Sequence, residues 1–165
     1  MKTFVLPGYS TKNKEWAIDA AKEVGGEIFE WQHWNEPIVK FNAQKEAERL
    51  IEKISSEKVN IAAKSIGTLV LVRMLTKNKD VVGKIIMCGV PVNDIDENDL
   101  SFYKILADVK AEDILVFQNS EDEHGQFEKT RRFLNEINPN IKIIEKPGST
   151  HDYPYFDEFK EFLSS

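Results

Sequence analysis

Cysteine is almost missing from this chain of 165 residues: the only one is Cys88, so no disulfide framework is possible. It lies in the apolar run Ile85-Ile86-Met87-Cys88 and reads as an inert core residue. Histidine is also scarce, with three copies at His33, His124 and His151, scattered and without a cysteine or histidine at metal-ligand spacing. No metal and no cofactor are expected. Blocks of lysine or arginine are lacking and the formal net charge is −6, which gives nucleic acid and anionic membrane surfaces nothing to attract them. No apolar run approaches membrane-spanning length, and the opening stretch Met1-Lys2-Thr3-Phe4-Val5-Leu6 meets Pro7-Gly8 too soon for a signal peptide. The expectation is a cytoplasmic protein without disulfides.

What is present is ordinary for a globular protein: 41% hydrophobic and 30% charged residues, with no repeat, low-complexity tract or linker. The length predicts one domain over residues 1–165 and leaves the oligomeric state undetermined. Short apolar runs at 4–6, 27–31, 59–63, 84–88, 114–117 and 141–144 predict six strands. Between them the period changes to that of helices. Trp16, Ala17, Ala20, Ala21 and Val24 mark one face, Ala43, Ala47, Leu50, Ile51 and Ile54 a second, and Phe127, Thr130, Arg131, Leu134 and Ile137 a later one. A loop with Pro37 precedes the second helix, a short helix is predicted near 100–107, and Phe156, Phe159, Phe162 and Leu163 close the chain. Such alternation predicts an α/β fold with a doubly wound, mainly parallel six-stranded sheet and helices on both faces.

The chemistry centres on Val59-Asn60-Ile61-Ala62-Ala63-Lys64-Ser65-Ile66-Gly67-Thr68, a β-branched run that breaks into small residues around a serine and then turns helical. Ala63 and Gly67 flank Ser65 at two positions on either side, so backbones can approach closely enough for a sharp strand-to-helix bend. In parallel sheets ligands sit beyond the carboxyl ends of the strands. The loops there carry Gln118-Asn119-Ser120-Glu121-Asp122-Glu123-His124-Gly125 after the fifth strand and Gly148-Ser149-Thr150-His151-Asp152 after the sixth. Serine, acid and histidine thus stand in that order at three strand ends. A serine hydroxyl becomes a nucleophile when an imidazole takes its proton, and a carboxylate fixes that imidazole's tautomer and stabilises its charged form.

This arrangement resembles the α/β-hydrolase family, in a minimal form without a cap domain, over nearly the whole chain. The resemblance implies Ser65 as nucleophile, His151 as general base and Asp122 as acid. It also implies an oxyanion hole built from the backbone N–H groups of Ile66 and of Tyr9 in Pro7-Gly8-Tyr9, where the family commonly has His-Gly-x. Ala63 replaces the family's first glycine, Pro7 its histidine, and Asn119 the glycine of its Gly-x-x-Asp run. The residues leave the acid open among Asp122, its neighbours Glu121 and Glu123, and Asp94 after the fourth strand. His33 and His124 read as solvated loop histidines. Trp31, Trp34 and Tyr153 fit either a pocket wall or plain packing.

Lys64-Ser65 also suggests a phosphate loop, but glycines one and six positions before the lysine are needed and Ala63 and Lys58 stand there. The implied function is hydrolysis of a small acyl substrate, a carboxylic ester or thioester. The rival is a binding or scaffold module that keeps the fold with little turnover.

Overall fold

The computed structural model describes residues 1–165. In chain order it contains β1 (Lys2–Leu6), α1 (Asn13–Val24), β2 (Glu27–Ile28), α2 (Gln32–Asn35), α3 (Ala43–Ile54), β3 (Val59–Lys64), α4 (Ile66–Asn78), β4 (Val82–Cys88), α5 (Glu97–Ser101), β5 (Ile114–Asn119), α6 (Phe127–Ile137), β6 (Lys142–Lys146) and α7 (Phe156–Ser164), with a 3-10 stretch over Phe102–Asp108. All six strands are parallel and lie in the order β2-β1-β3-β4-β5-β6. No helix is long and apolar enough to cross a membrane.

Alternation along each strand divides the core into two layers. Phe4, Leu6, Ile61, Ala63, Ile85, Met87, Ile114 and Val116 pack with residues of α3, α4 and α6 on one face. Val5, Ala62, Ile86, Cys88, Leu115 and Phe117 pack with Trp16, Ala17 and Ala20 of α1 and Phe159 of α7 on the other. The handedness of crossovers decides which helix goes where. The path from β1 to β2 moves one way along the sheet and places α1 on its face. Every later crossover moves the opposite way, so α3, α4 and α6 cover the other face. β1 and β3 are neighbours whose chains leave in opposite directions, which opens a crevice beyond their C-terminal ends.

The second strand is shorter than its apolar run implies. Only Glu27 and Ile28 pair with β1, and the Phe29 N–H adds one bond to the Val5 carbonyl. Beyond that point the chain is drawn out of the sheet, because Trp31 buries its ring completely and donates its indole N–H to the Gly8 carbonyl. The four-residue helix α2 follows, where the sequence predicts only loop. The sixth strand runs to Lys146, two residues past the predicted end.

Gly67, in the first turn of α4, is where helix and sheet come closest. A Cβ there would lie 2.5 Å from the Leu6 carbonyl oxygen and 2.9 Å from that of Pro7. Both are backbone atoms and cannot swing aside. Gly67→Ala is expected to lower stability by about 1–3 kcal/mol through this overlap. Urea unfolding measures it, and an unchanged midpoint would show that α4 can slide.

Candidate functional site

Ser65 lies between β3 and α4 with φ 53° and ψ −124°, a conformation that non-glycine residues rarely adopt. Its N–H bonds the Cys88 carbonyl, and its own carbonyl accepts from the Thr68 N–H and hydroxyl, so the bend is fastened from both sides. Ser55 shares the conformation, with φ 56° and ψ −128°, but is exposed at the end of α3, before β3 begins. The strained turn alone therefore does not mark a site. Its place at the crevice beyond β1 and β3 does.

That crevice is a cleft of about 480 Å³ lined by Tyr9, Ser10, Asn13, Phe41, Ser65, Ile66, Pro91, Asp94, Ile95, His124 and His151. Four of the expected residues, Ser65, His151, Ile66 and Tyr9, meet here. The fifth, Asp122, is fully buried behind His151, with its Oδ2 2.6 Å from the imidazole Nδ1. Among the four carboxylates considered, it is the one that holds this ring. Asp94 instead bonds His124 Nδ1, and Glu123 approaches the other nitrogen of His124 at 3.8 Å. Ser65 Oγ and His151 Nε2 form no hydrogen bond with each other, and Nε2 is a buried nitrogen without a partner. Unliganded sites often hold such pairs apart until substrate draws them together.

A buried carboxylate is costly unless donors surround it. Asp122 has three: the His151 ring, the Tyr153 hydroxyl at 2.6 Å and the His124 backbone N–H at 2.9 Å. Burial pushes its carboxyl up, but the bonds from His151 and Tyr153 outweigh that and hold it below the ordinary range. Tyr153 is thus neither pocket wall nor plain packing. Its hydroxyl accepts from the Asn119 N–H while donating to Asp122, and burial pushes its own ionisation far up.

Asn119 explains its presence where the family pattern has glycine. Its side-chain amide donates to the carbonyls of Thr150 and Asp152, at 2.9 and 2.8 Å, fastening both flanks of the His151 loop to the end of β5. Gln118, fully buried, accepts from the Val90 N–H and donates to the Gly125 carbonyl, tying in the loop after β4. Gly89 leaves the room this needs. With φ 60°, a Cβ there would lie 2.6 Å from the Tyr153 ring and 2.9 Å from His151 Cε1.

His124 is a partly exposed loop histidine, as the sequence reading has it, but it stands at the cleft. Its ring centre lies 4.3 Å from that of His151, and it lines the same cleft. His33 stacks on Tyr9 at 4.7 Å, with Nε2 2.9 Å from the Tyr9 carbonyl oxygen. Trp31 and Trp34 are buried and their indole N–H groups bond the Gly8 and Tyr9 carbonyls. Position two residues after Asp122 was the available signal for His124. Nothing in the pattern of residues 31–34 announced their bonds to a loop more than twenty residues away.

Lys64, next to Ser65, shares strand parity with Ala62 and is buried on the α1 face, its ammonium 5.3 Å from the Trp16 ring centre. Burial lowers its proton affinity, and the negative charges of Asp152 and Asp122 oppose that only in part. Cys88 is a fully buried thiol whose ionisation burial pushes far up, as an inert core residue requires.

No family model matches the sequence, and no curated protein matches it. Solved structures do. An alpha-beta serine hydrolase homologue from Coxiella burnetii is 19% identical with TM-score 0.71, over 99% of this chain and 83% of its own. An a/b serine hydrolase without lid from Xanthomonas campestris is 16% identical with TM-score 0.66, over 99% and 78%. Est1E from Butyrivibrio proteoclasticus is 12% identical with TM-score 0.68, over 99% and 86%. The fold of this chain is the α/β-hydrolase fold.

Two pH dependences follow from the charges. Because the Asp122 carboxyl is held low in the fold, its stabilising bonds are complete above the ordinary carboxylate pKa and are lost as pH falls through and below about 4. The stability gap between wild type and Asp122→Asn should therefore be widest near pH 7 and close in acid, as chemical unfolding at several pH values would show. For Lys64 the sign reverses: the fold disfavours the charged form, at a cost present at neutral pH that fades as pH rises toward the ordinary lysine value. Lys64→Met should raise the melting temperature at pH 7 and gain less at pH 10. An equal gain at both pH values contradicts this account.

Proposed function

We propose that the protein is a serine hydrolase acting on a small carboxylic ester or thioester. The observation that carries this reading is the Asp122–His151 bond of 2.6 Å beside a cleft that also holds Ser65, with His151 Nε2 left unpartnered. In the proposed reaction Ser65 Oγ attacks the substrate carbonyl carbon while His151 Nε2 takes the hydroxyl proton. Asp122 accepts the Nδ1–H and stabilises the imidazolium. The oxyanion of the tetrahedral intermediate is held by the N–H groups of Ile66, at the open start of α4, and of Tyr9. Collapse breaks the bond to the leaving group, which receives the proton from His151. A water that His151 deprotonates then attacks the acyl-serine, and the acid and free serine are released.

The walls Tyr9, Phe41, Ile66, Pro91 and Ile95 suit a short apolar acyl chain, and no lysine or arginine lines the cleft to pair with an anionic substrate. The segment 90–108 between β4 and β5 forms only α5 and a 3-10 stretch, which keeps the entrance open to a small substrate.

A fluorophosphonate probe and a short-chain aryl ester test the reading together. Wild type should be labelled, labelling should vanish in Ser65→Ala, and ester hydrolysis should fall by about 10³–10⁴ in His151→Ala and Asp122→Asn. Asp94→Asn should retain activity within about tenfold, since Asp94 bonds His124 rather than the base. Folded wild type that takes no label would make the cleft a binding module.

A further inference from the structure

The α/β-hydrolase resemblance leaves one proposed donor without the histidine that usually precedes it, since Pro7 stands there. We propose that the segment Trp31–His33–Trp34 is a hydrogen-bonding clamp that fixes the direction of the Tyr9 N–H, making these three side chains positioning residues for the oxyanion hole. The inference rests on the serine-hydrolase reading and extends it to residues outside the cleft's chemistry.

In a trans peptide the C=O and the N–H point in opposite directions within one plane, so whatever holds the carbonyl aims the N–H. The Gly8 carbonyl accepts from Trp31 Nε1 at 2.9 Å, which turns the Tyr9 N–H away from the indole. The next plane is held as well: the Tyr9 carbonyl accepts from Trp34 Nε1 at 2.9 Å, and His33 Nε2 lies at the same distance. Both planes flanking the Tyr9 Cα are thereby fixed. Its N–H has no acceptor within the chain, and the residue forms one wall of the cleft that holds Ser65 and Ile66.

The donors are themselves anchored. Glu46 of α3, almost fully buried, accepts the Gln32 N–H at 2.9 Å and pairs with Arg49, pinning α2 from below. Stacking of the His33 ring on the Tyr9 ring keeps Nε2 over the carbonyl. His33 Nδ1 is buried and bonds nothing, so Nε2 is the nitrogen of that ring engaged in a bond. Two donors fill both lone pairs of the Tyr9 carbonyl and fix its plane, and a donor aimed at a developing charge gains from every constraint on its direction.

The test uses the full chain with Trp34→Phe and His33→Leu, which remove a donor while keeping much of the packing, and His33→Gln, which offers an amide donor in its place. Esterase kinetics should show kcat lower by about tenfold or more in the first two, with KM within about twofold. Affinity for an arylboronic acid, which forms a tetrahedral anionic adduct on serine, should fall by the same factor as kcat/KM, and His33→Gln should recover most of the loss. A backbone ¹⁵N order parameter for Tyr9, measured without substrate, should drop in Trp34→Phe and His33→Leu while melting temperatures stay within a few degrees. Unchanged kcat and boronate affinity in both variants overturn the clamp. If instead wild type shows no Ser65-dependent turnover while Tyr9 is ordered and loosens in the variants, the serine-hydrolase reading fails and the hydrogen-bond geometry stands. The clamp's role at an oxyanion is overturned with that reading.

Discussion

A carboxylate with no exposure to water must be satisfied completely, and the requirement of Asp122 organises this end of the molecule. Its three donors come from a ring in the loop after β6, a tyrosine just beyond it and a main-chain N–H in its own loop. The first two must be brought in by tertiary contacts, whereas the third is supplied locally, two residues along the chain. Asn119 and Gln118, consecutive at the end of β5, use their amides to fasten the loop after β6 beside the carboxylate and to tie the loop after β4 to Gly125. Hydrogen bonds to charged groups contribute roughly 1.5–3 kcal/mol each and here offset the cost of burying the charge, so removing a single donor would cost a sizeable share of a domain's marginal stability. The same bonds that make the burial tolerable fix the tautomer and tilt of His151.

Topology decides where that network stands relative to Ser65. Right-handed crossovers send the chain from β1 one way and from β3 the other, so the loops holding Tyr9 and Ser65 part at the sheet's edge and leave a crevice between them. The loops after β4, β5 and β6 then wall its far side, placing Asp94, His124 and His151 opposite. Two imidazole–carboxylate pairs result, with ring centres 4.3 Å apart. The inner pair is buried at its acid and the outer pair is exposed.

Neighbouring positions on β3 show how strictly strand parity assigns roles. Ala63 and Ala62 face opposite core layers, and Lys64 follows Ala62 onto the α1 face, against Trp16. A lysine beside the serine is therefore committed to the protein interior and not to the cleft lining. A cation in that position is attracted to Asp122 and Asp152 and simultaneously penalised by burial.

Much of this was legible in the chain itself. Hydrophobic period marked six strands and the longer helices between them, because burial of a face imposes a period of two or of 3.6 wherever the partner layer lies, and the small residues Ala63 and Gly67 marked the bend at Ser65. Placement of polar residues at strand ends likewise pointed to Ser65, His151 and a carboxylate in the loops after the fourth or fifth strand, since parallel strands present their C-terminal loops on one edge; the choice of Asp122 among them came from the family resemblance. Only the tertiary structure decided which carboxylate meets which imidazole: Asp94, Glu121, Asp122 and Glu123 are alike in sequence, and their distinction is burial and the donors around each. It also decided the length of β2 and the existence of α2, because the pull of Trp31 and Trp34 on the Gly8 and Tyr9 carbonyls is a long-range hydrogen bond, and such bonds leave no period in the sequence to read.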